Sequence, residues 1–419
     1  MNTLIQLAWA TLERMFPRVA SAVVMVAFAA FTAPDAVGVY SWVALTYTLY
    51  QALAENALRN QAVLAVAKPR HVASVRRSAR TAAVFGSTLV ALTLIWLWFR
   101  HGDTLGMHVL GLVPFVAAPF ITTSGIVPMA RMQYNNDWNL LARYMLIASL
   151  AGLSLSFATV VLTHSALAMA VHLLTQESTF LYLLRKRSRQ IEITPHEKSR
   201  HPREGMASLV AISTLGWSQG QLERVFVGGL AGVATLGTYS TAVTMGRSAG
   251  EALSVATANY LRAQISAETD SARHPRLVRN VMTISAVSAT LAVGAVLLLT
   301  ALVLEPILGD VWRTTLEAVP FLAIATIPYS VSLALQVMAI YNDKHAASVI
   351  PSVLGLVCAP LIGWVALTSI HYAALVVIGK ELMLLMVTYG MSRVKGAGLP
   401  VAFAGGATVV VLALMEVLR

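Results

Sequence analysis

Several ionisable residues stand where nearly everything around them is apolar. Arg14 and Arg18 fall in the first long apolar run, Glu55 and Arg59 in the second, and His172 and Glu177 in the sixth. Glu223 and Arg224 fall in the seventh, Arg247 and Glu251 in the eighth, and Lys380 and Glu381 in the twelfth. An Arg, Lys or Asp at the middle of a bilayer costs roughly 2.5–3.5 kcal/mol. Four such groups cost about 10 kcal/mol, comparable to the stability of a whole domain. They must therefore face a wet cavity, pair with one another, or lie near an interface. Arginine in a partly desolvated cavity suits phosphate, which it grips as a bidentate fork. Arg18, Arg59, Arg224 and Arg247 are accordingly the expected contacts to an anionic headgroup. Glu55, Glu177, Glu223 and Glu251 are expected either to couple an ion or to balance charge.

Spacing leaves alternatives open. Glu55 and Arg59 are four residues apart, as are Arg247 and Glu251, so each pair shares a helix face and could be a neutralised structural pair. Arg14 can snorkel to the nearer surface. Glu177 and His172 can carry protons or serve as hydrogen-bonded structural groups. Lys380 and Glu381 are adjacent and are expected to face different ways. At 1.5 Å per residue, Arg18 and Arg247 lie about 20 Å from the outer end of their runs and Arg224 about 10 Å.

The elements that must position these groups are membrane helices. The chain has 419 residues, 57% of them hydrophobic and 12% charged, against roughly a quarter charged in soluble domains. The pattern predicts an all-α polytopic membrane protein rather than a β-barrel, whose strands would alternate over about ten residues. Thirteen spans are expected: 5–32, 36–66, 80–99, 107–130, 137–163, 165–184, 206–231, 234–262, 280–304, 314–340, 345–367, 371–391 and 397–417.

Lysine and arginine fix the expected orientation. Arg76, Arg77 and Arg80 lie in one predicted loop, Arg185, Lys186, Arg187 and Arg189 in a second, and Arg273, Arg276 and Arg279 in a third. The opposite side shows almost only Arg100, Arg313 and Arg419. The positive-inside rule then puts the amino terminus and these loops in the cytoplasm and residue 419 outside, in a cytoplasmic (inner) membrane. The net charge of +11 is assigned to topology and anionic lipid, not nucleic acid. The single cysteine, Cys358, permits no internal disulfide. No cleavable leader is expected, and no phosphate-binding loop, HExxH motif or catalytic external loop is present, so neither cofactor, metal site nor catalytic residues are expected.

The chain also repeats itself. Val37-Gly38-Val39-Tyr40-Ser41 is echoed by Leu236-Gly237-Thr238-Tyr239-Ser240, Val113-Pro114-Phe115 by Val319-Pro320-Phe321, and Tyr134-Asn135-Asn136-Asp137 by Tyr341-Asn342-Asp343-Lys344. The offsets are 199, 206 and 207 residues. Six spans is an even number, so the halves enter the membrane in the same sense, a parallel repeat. The expected organisation is an N-terminal lobe (1–190), a cytoplasmic linker (191–204), a C-terminal lobe (205–391) and an additional helix (392–419). Pro114, Pro119, Pro128, Pro320 and Pro328 act either as packing kinks or as hinges.

Gln221-Leu222-Glu223-Arg224 followed by Val225-Phe226-Val227-Gly228 and then Leu236-Gly237-Thr238-Tyr239 resembles the polysaccharide (Wzx-type) flippases of the MATE-like MOP exporter superfamily. Glu223 stands where Asp is usual in that pattern, and only Arg224 among the four arginines falls on the motif. The resemblance implies the MATE-like fold and a polyprenyl-diphosphate-linked oligosaccharide moved from the cytoplasmic to the outer leaflet by alternating access. It implies membrane lipids and glycan polymerase or ligase machinery as partners, and a monomer is expected. Three rivals stand beside it. These are an ion-coupled drug exporter of the same fold, favoured by a carboxylate-rich cavity, a peptidoglycan-precursor flippase, and a membrane glycan polymerase or ligase.

Overall fold

In a computed structural model of the chain, residues 3–66, 69–188, 206–267 and 274–418 are described, and every regular element among them is helical. The expected linker at 191–204 lies outside the described residues. Helix α1 spans Thr3–Phe31 and α2 spans Pro34–Tyr50, which continues through a π-helical stretch at Gln51–Glu55 into α3, Asn56–Ala65. Helix α4 spans Pro69–Gly111. A 3-10 turn at Val113–Ala117 then leads into α5, Ala118–Tyr134. Next come α6 (Trp138–Thr163), α7 (Leu167–Ser188), α8 (Met206–Ala231) and α9 (Val233–Ala267). Helix α10 (His274–Leu299) runs through a π stretch, Thr300–Leu304, into α11, Glu305–Leu308. A 3-10 turn at Asp310–Trp312 opens α12 (Arg313–Ile324). It is followed by α13 (Thr326–Tyr341), α14 (Ala346–Val365), α15 (Ile370–Ser392) and α16 (Gly398–Leu418).

The expected spans fall on these helices, except that the one expected at 107–130 begins inside α4 and crosses the break at Leu112. Among the described residues, nine stretches are long and apolar enough to cross a bilayer. The other four segments are α1, α2–α3, α8 and α9, the first two helices of each expected lobe. These four carry all the buried-run arginines named above, and Met15–Phe31 of α1 is itself an apolar helix of shorter length.

One boundary differs from expectation. The predicted basic loop at 67–80 is largely helix, because α4 begins at Pro69 and runs 43 residues to Gly111. That is about 64 Å of helix against a hydrocarbon core of about 30 Å. The stretch His101-Gly102-Asp103 does not stop it. The helix ends only where Gly111 and Pro114 coincide, since a single glycine costs about 1 kcal/mol but proline removes a donor and clashes with the preceding turn.

Two compact units divide the chain, Met1–Gln221 and Leu222–Arg419, with the division inside α8. In the first unit α4 packs on α2 and α5, α5 on α3 and α7, and α6 on α1 and α7. In the second α10 packs on α9 and α13, α15 on α12, α13 and α14, and α9 on α12 and α13. The same neighbour list thus recurs, helix for helix. Even the approach of α1 to α6 has its counterpart: a Cβ on Gly363 of α14 would lie 2.6 Å from the Phe226 side chain of α8, so only glycine permits that contact.

The repeated sequence after the fourth span folds into the same turn twice. Asn136 (φ 59°) and Asp343 (φ 56°) are both left-handed, a conformation that Asn and Asp tolerate better than other side chains. The amide of Asn135 donates to the Arg131 carbonyl, that of Asn136 to Gln133, and that of Asp137 to Met132. The amides of Asn342, Asp343 and Lys344 donate to Met338, Ile340 and Ala339 in the identical pattern. The six-to-one bond in each set is a Schellman closure. Upstream, both helices break at matching places, between Ala117 and Ala118 and at Ala325. Pro128 and Pro320 lie inside helices.

The core of the second unit centres on α12 and α13, where Ala318, Val319, Phe321, Leu322, Ile324 and Ile327 are wholly buried. Buried hydroxyls there bond their own backbone, Thr326 to the Ala323 carbonyl at 2.7 Å and Ser330 to that of Ile327 at 2.8 Å. Large apolar side chains instead stand exposed on α4, α6, α10 and α16, as surfaces meant for lipid do.

Candidate functional site

The second unit gathers six ionisable side chains from three helices. Helix α8 supplies Glu223 and Arg224, α9 supplies Arg247 and Glu251, and α15 supplies Lys380 and Glu381. The Lys380 ammonium lies 3.1 Å from Glu223 Oε2 and 3.2 Å from Glu381 Oε1. The Arg247 guanidinium meets three carboxylates, Glu251 at 2.8 Å, Glu381 at 3.4 Å and Glu223 at 3.6 Å. The ring of Tyr329, on α13, lies 5.7 Å from the same guanidinium. Glu223, Arg247, Lys380 and Glu381 are at most 5% exposed. The Glu251 side chain, at 35%, is the part of the network that reaches outward.

Local sequence explains how α9 can carry these charges inward. Gly250 faces Thr326, where a Cβ would lie 2.4 Å from the threonine hydroxyl. The helix therefore sits close against α13 on that face. Burying these ions is tolerable only because each has partners, since desolvation costs several kcal/mol per ion and must be recovered in contacts.

Arg224 is different. It lies within electrostatic reach of Glu223 and Glu251. Among the described residues it makes no ion pair, and its buried Nε has no hydrogen-bond partner. Counting Glu223, Glu251 and Glu381 against Arg224, Arg247 and Lys380, the cluster is neutral, with Arg224 holding the cation that is not directly paired.

In the first unit the expected residues separate. Arg18 is exposed on α1. Arg59 of α3 and Glu177 of α7 line one small cavity with Thr122, Met129 and Phe180. His172 is buried, its Nε2 3.4 Å from the Ser21 hydroxyl, which ties α7 to α1. The side chains of Arg14 and Glu55 lie outside the described residues.

Arg224, Arg247, Glu223 and Glu251 are thus brought together, and Arg59 joins Glu177. Lys380 and Glu381 are expected from their adjacency to face different ways, because neighbours on a helix point about 100° apart. That angle is not opposition, and both side chains are long enough to converge on α8 and α9. A signal was present: Glu381 follows Glu177 by 204 residues, and Ser392 follows Ser188 by the same interval. Helices α7 and α15 end alike, with a cation on each terminal carbonyl, Arg131 on Ser188 at 3.3 Å and Lys344 on Ser392 at 2.6 Å. In each unit a glutamate at the same place on corresponding helices, Glu177 on α7 and Glu381 on α15, shares a site with an arginine, Arg59 of α3 and Arg247 of α9. Among the described residues no group of three or more His, Cys, Asp or Glu is placed to hold a metal ion.

A family model described as "Polysaccharide biosynthesis protein" matches residues 105–317, half of the chain. The chain belongs to the polysaccharide biosynthesis protein family. Its fold is shared with solved transporters of low sequence identity. A structure titled "Lipid II flippase MurJ, inward closed conformation" aligns with TM-score 0.61 at 10% identity, over 98% of this chain and 99% of that one. An inward-facing multidrug resistance MATE family transporter of the MOP superfamily aligns with TM-score 0.55 at 12% identity, over 96% and 99%. A eukaryotic MATE transporter aligns with TM-score 0.56 at 16% identity, over 97% and 98%. No curated protein is similar enough in sequence to match. The family member is therefore an all-helical, multi-pass membrane protein with the MATE-like architecture.

Proposed function

We propose that the protein is a flippase that moves a polyprenyl-diphosphate-linked oligosaccharide from the cytoplasmic to the outer leaflet by alternating access. Membership in a polysaccharide biosynthesis family and a fold shared with a lipid II flippase support this reading. The observation that carries it is Arg224, a half-buried guanidinium without an ion pair beside a network whose other charges are matched. A diphosphate is the ligand such a group suits. The remaining network holds α8, α9 and α15 in register and keeps Arg224 aimed. Arg247 acts here as the hub of that frame, because three carboxylates surround its guanidinium within ion-pair distance. Arg59 and Arg18 meet the headgroup on the path, and the lipid tail stays in the bilayer. The amino terminus is cytoplasmic in this reading.

A second reading draws on the three carboxylates around Arg247. A carboxylate-rich site is the feature that favours an ion-coupled drug exporter, and a MATE family transporter is among the structural neighbours. Glu251, the outermost of the three, would take the coupling proton. The test is the fate of lipid-linked glycan in cells carrying Arg224→Ala at matched expression. Accumulation on the cytoplasmic leaflet supports the flippase. Unchanged glycan export with lost cation resistance overturns it for the exporter.

A further inference from the structure

Arg76, Arg80, Arg131 and Arg185 of the first unit line one cavity of about 360 Å³, within the usual range for small-ligand sites. We propose that this pocket binds a phosphate group, presented by the headgroup of an anionic phospholipid in the surrounding leaflet. It shares no residue with the flippase site, and it stands whether or not that reading is right.

Four guanidiniums converge there, and no carboxylate is among the lining residues. Among the described residues none of the four makes an ion pair, so the pocket carries a net positive charge that an entering anion would neutralise. The pocket is also built. Arg76 and Arg80 are one turn apart and share a face of α4. Arg131 donates through one Nη to the Ser188 carbonyl at 3.3 Å, which fixes its plane, while its Nε is buried with no partner. Arg185 sits in the last turn of α7, where the negative end of the helix dipole favours a cation. The start of α4 and the ends of α5 and α7 meet at one end of the unit, the end where the chain concentrates its basic residues.

What lies beside the pocket separates a lipid from a free anion. One turn along α4 from Arg80 stands Val84, exposed at 55%, and one turn along α5 from the pocket stands Phe120, exposed at 46%. The basic rim therefore passes directly into apolar surface, the order in which a phospholipid presents headgroup and acyl chain. Clusters of basic residues at the end of membrane helices are the usual form of such recognition.

The test is equilibrium binding to the purified full-length protein in neutral detergent, with no turnover measured. The probes are phosphatidylglycerol, phosphatidylcholine and inorganic diphosphate. Saturable binding of phosphatidylglycerol over phosphatidylcholine is expected, weakened about ten- to a hundredfold by Arg131→Gln. Arg131 also braces α7, so Arg80→Gln, on the exposed face of α4, serves as a second variant, and both must elute as the parent does. Diphosphate binding as tightly as phosphatidylglycerol, with the same loss in both variants, would support the phosphate pocket and assign it to a soluble anion. Parent and variants binding all three probes alike would overturn the proposal.

Discussion

Arg247 and Glu381 stand 134 residues apart in the chain, yet the guanidinium donates to the carboxylate at 3.4 Å with both side chains withdrawn from solvent. Glu223 and Glu251 complete the shell around the same arginine. Among the described residues, removing the cation leaves three carboxylates with Lys380 as the one cation in direct ion-pair contact and Arg224 further off. Arg247→Ala is expected to lower stability by about 3–5 kcal/mol, the usual cost of orphaning a buried ion. Thermal unfolding in detergent measures it, and a loss under 1 kcal/mol would show that water already screens the cluster.

The pairing of Lys380 with Glu223 calls for a double-mutant cycle. Lys380→Met alone and Glu223→Gln alone each strand a charge. Together they remove both, and replacing both partners of a buried pair is often near neutral. The double variant is expected to be more stable than the sum of the singles predicts, with a coupling of about 1–3 kcal/mol. Strict additivity would mean that the 3.1 Å contact carries no energy.

Arg224→Ala is expected to leave the melting temperature near that of the parent, because no ion pair is lost. Substrate binding should weaken by about 1.5–3 kcal/mol, roughly ten- to a hundredfold. Arg224→Lys should restore little of it if the contact is a bidentate fork. A variant that binds substrate as the parent does, or whose melting temperature falls by as much as that of Arg247→Ala, would reverse this assignment.

Gly250→Ala tests the close approach of α9 to α13. A methyl placed 2.4 Å from the Thr326 hydroxyl forces a shift, and overpacking of this kind costs typically about 1–3 kcal/mol. Thr326→Ala should relieve part of the penalty in the double variant. An unaffected melting curve for the single variant would show that the two helices part without cost.

Topology is checked by labelling. With Cys358 replaced by alanine, cysteines introduced as Pro195→Cys and Arg419→Cys are expected to react from opposite faces of the membrane, the first from the cytoplasm. Labelling of both from one face would end the thirteen-span arrangement.

Much of this architecture is readable in the residues, because membrane helices announce themselves through apolar runs and the repeat through Tyr134-Asn135-Asn136-Asp137 and its partner. The left-handed residue of each turn, Asn136 and Asp343, is the one that Asn and Asp tolerate best, so the echo had a conformational cause. The length of α4 was less legible: His101-Gly102-Asp103 looks like a loop, but a lone glycine in a helix is a small penalty that packing overrides. The charge network was half visible. Spacing within one helix points to Arg247 with Glu251, yet Lys380 and Glu381 come from a helix more than a hundred residues away. Which of several buried arginines is already occupied is a fact of three dimensions that no spacing rule supplies.

The neutrality of the six-residue cluster has an electrical meaning. A single charge carried across a membrane held at 100 mV gains or loses about 2.3 kcal/mol. Glu223, Glu251 and Glu381 against Arg224, Arg247 and Lys380 sum to zero, so displacing them together through the field moves no net charge. Membrane voltage can then do net work on this cluster only through whatever ion or substrate joins it, and a current recorded during turnover would report that cargo.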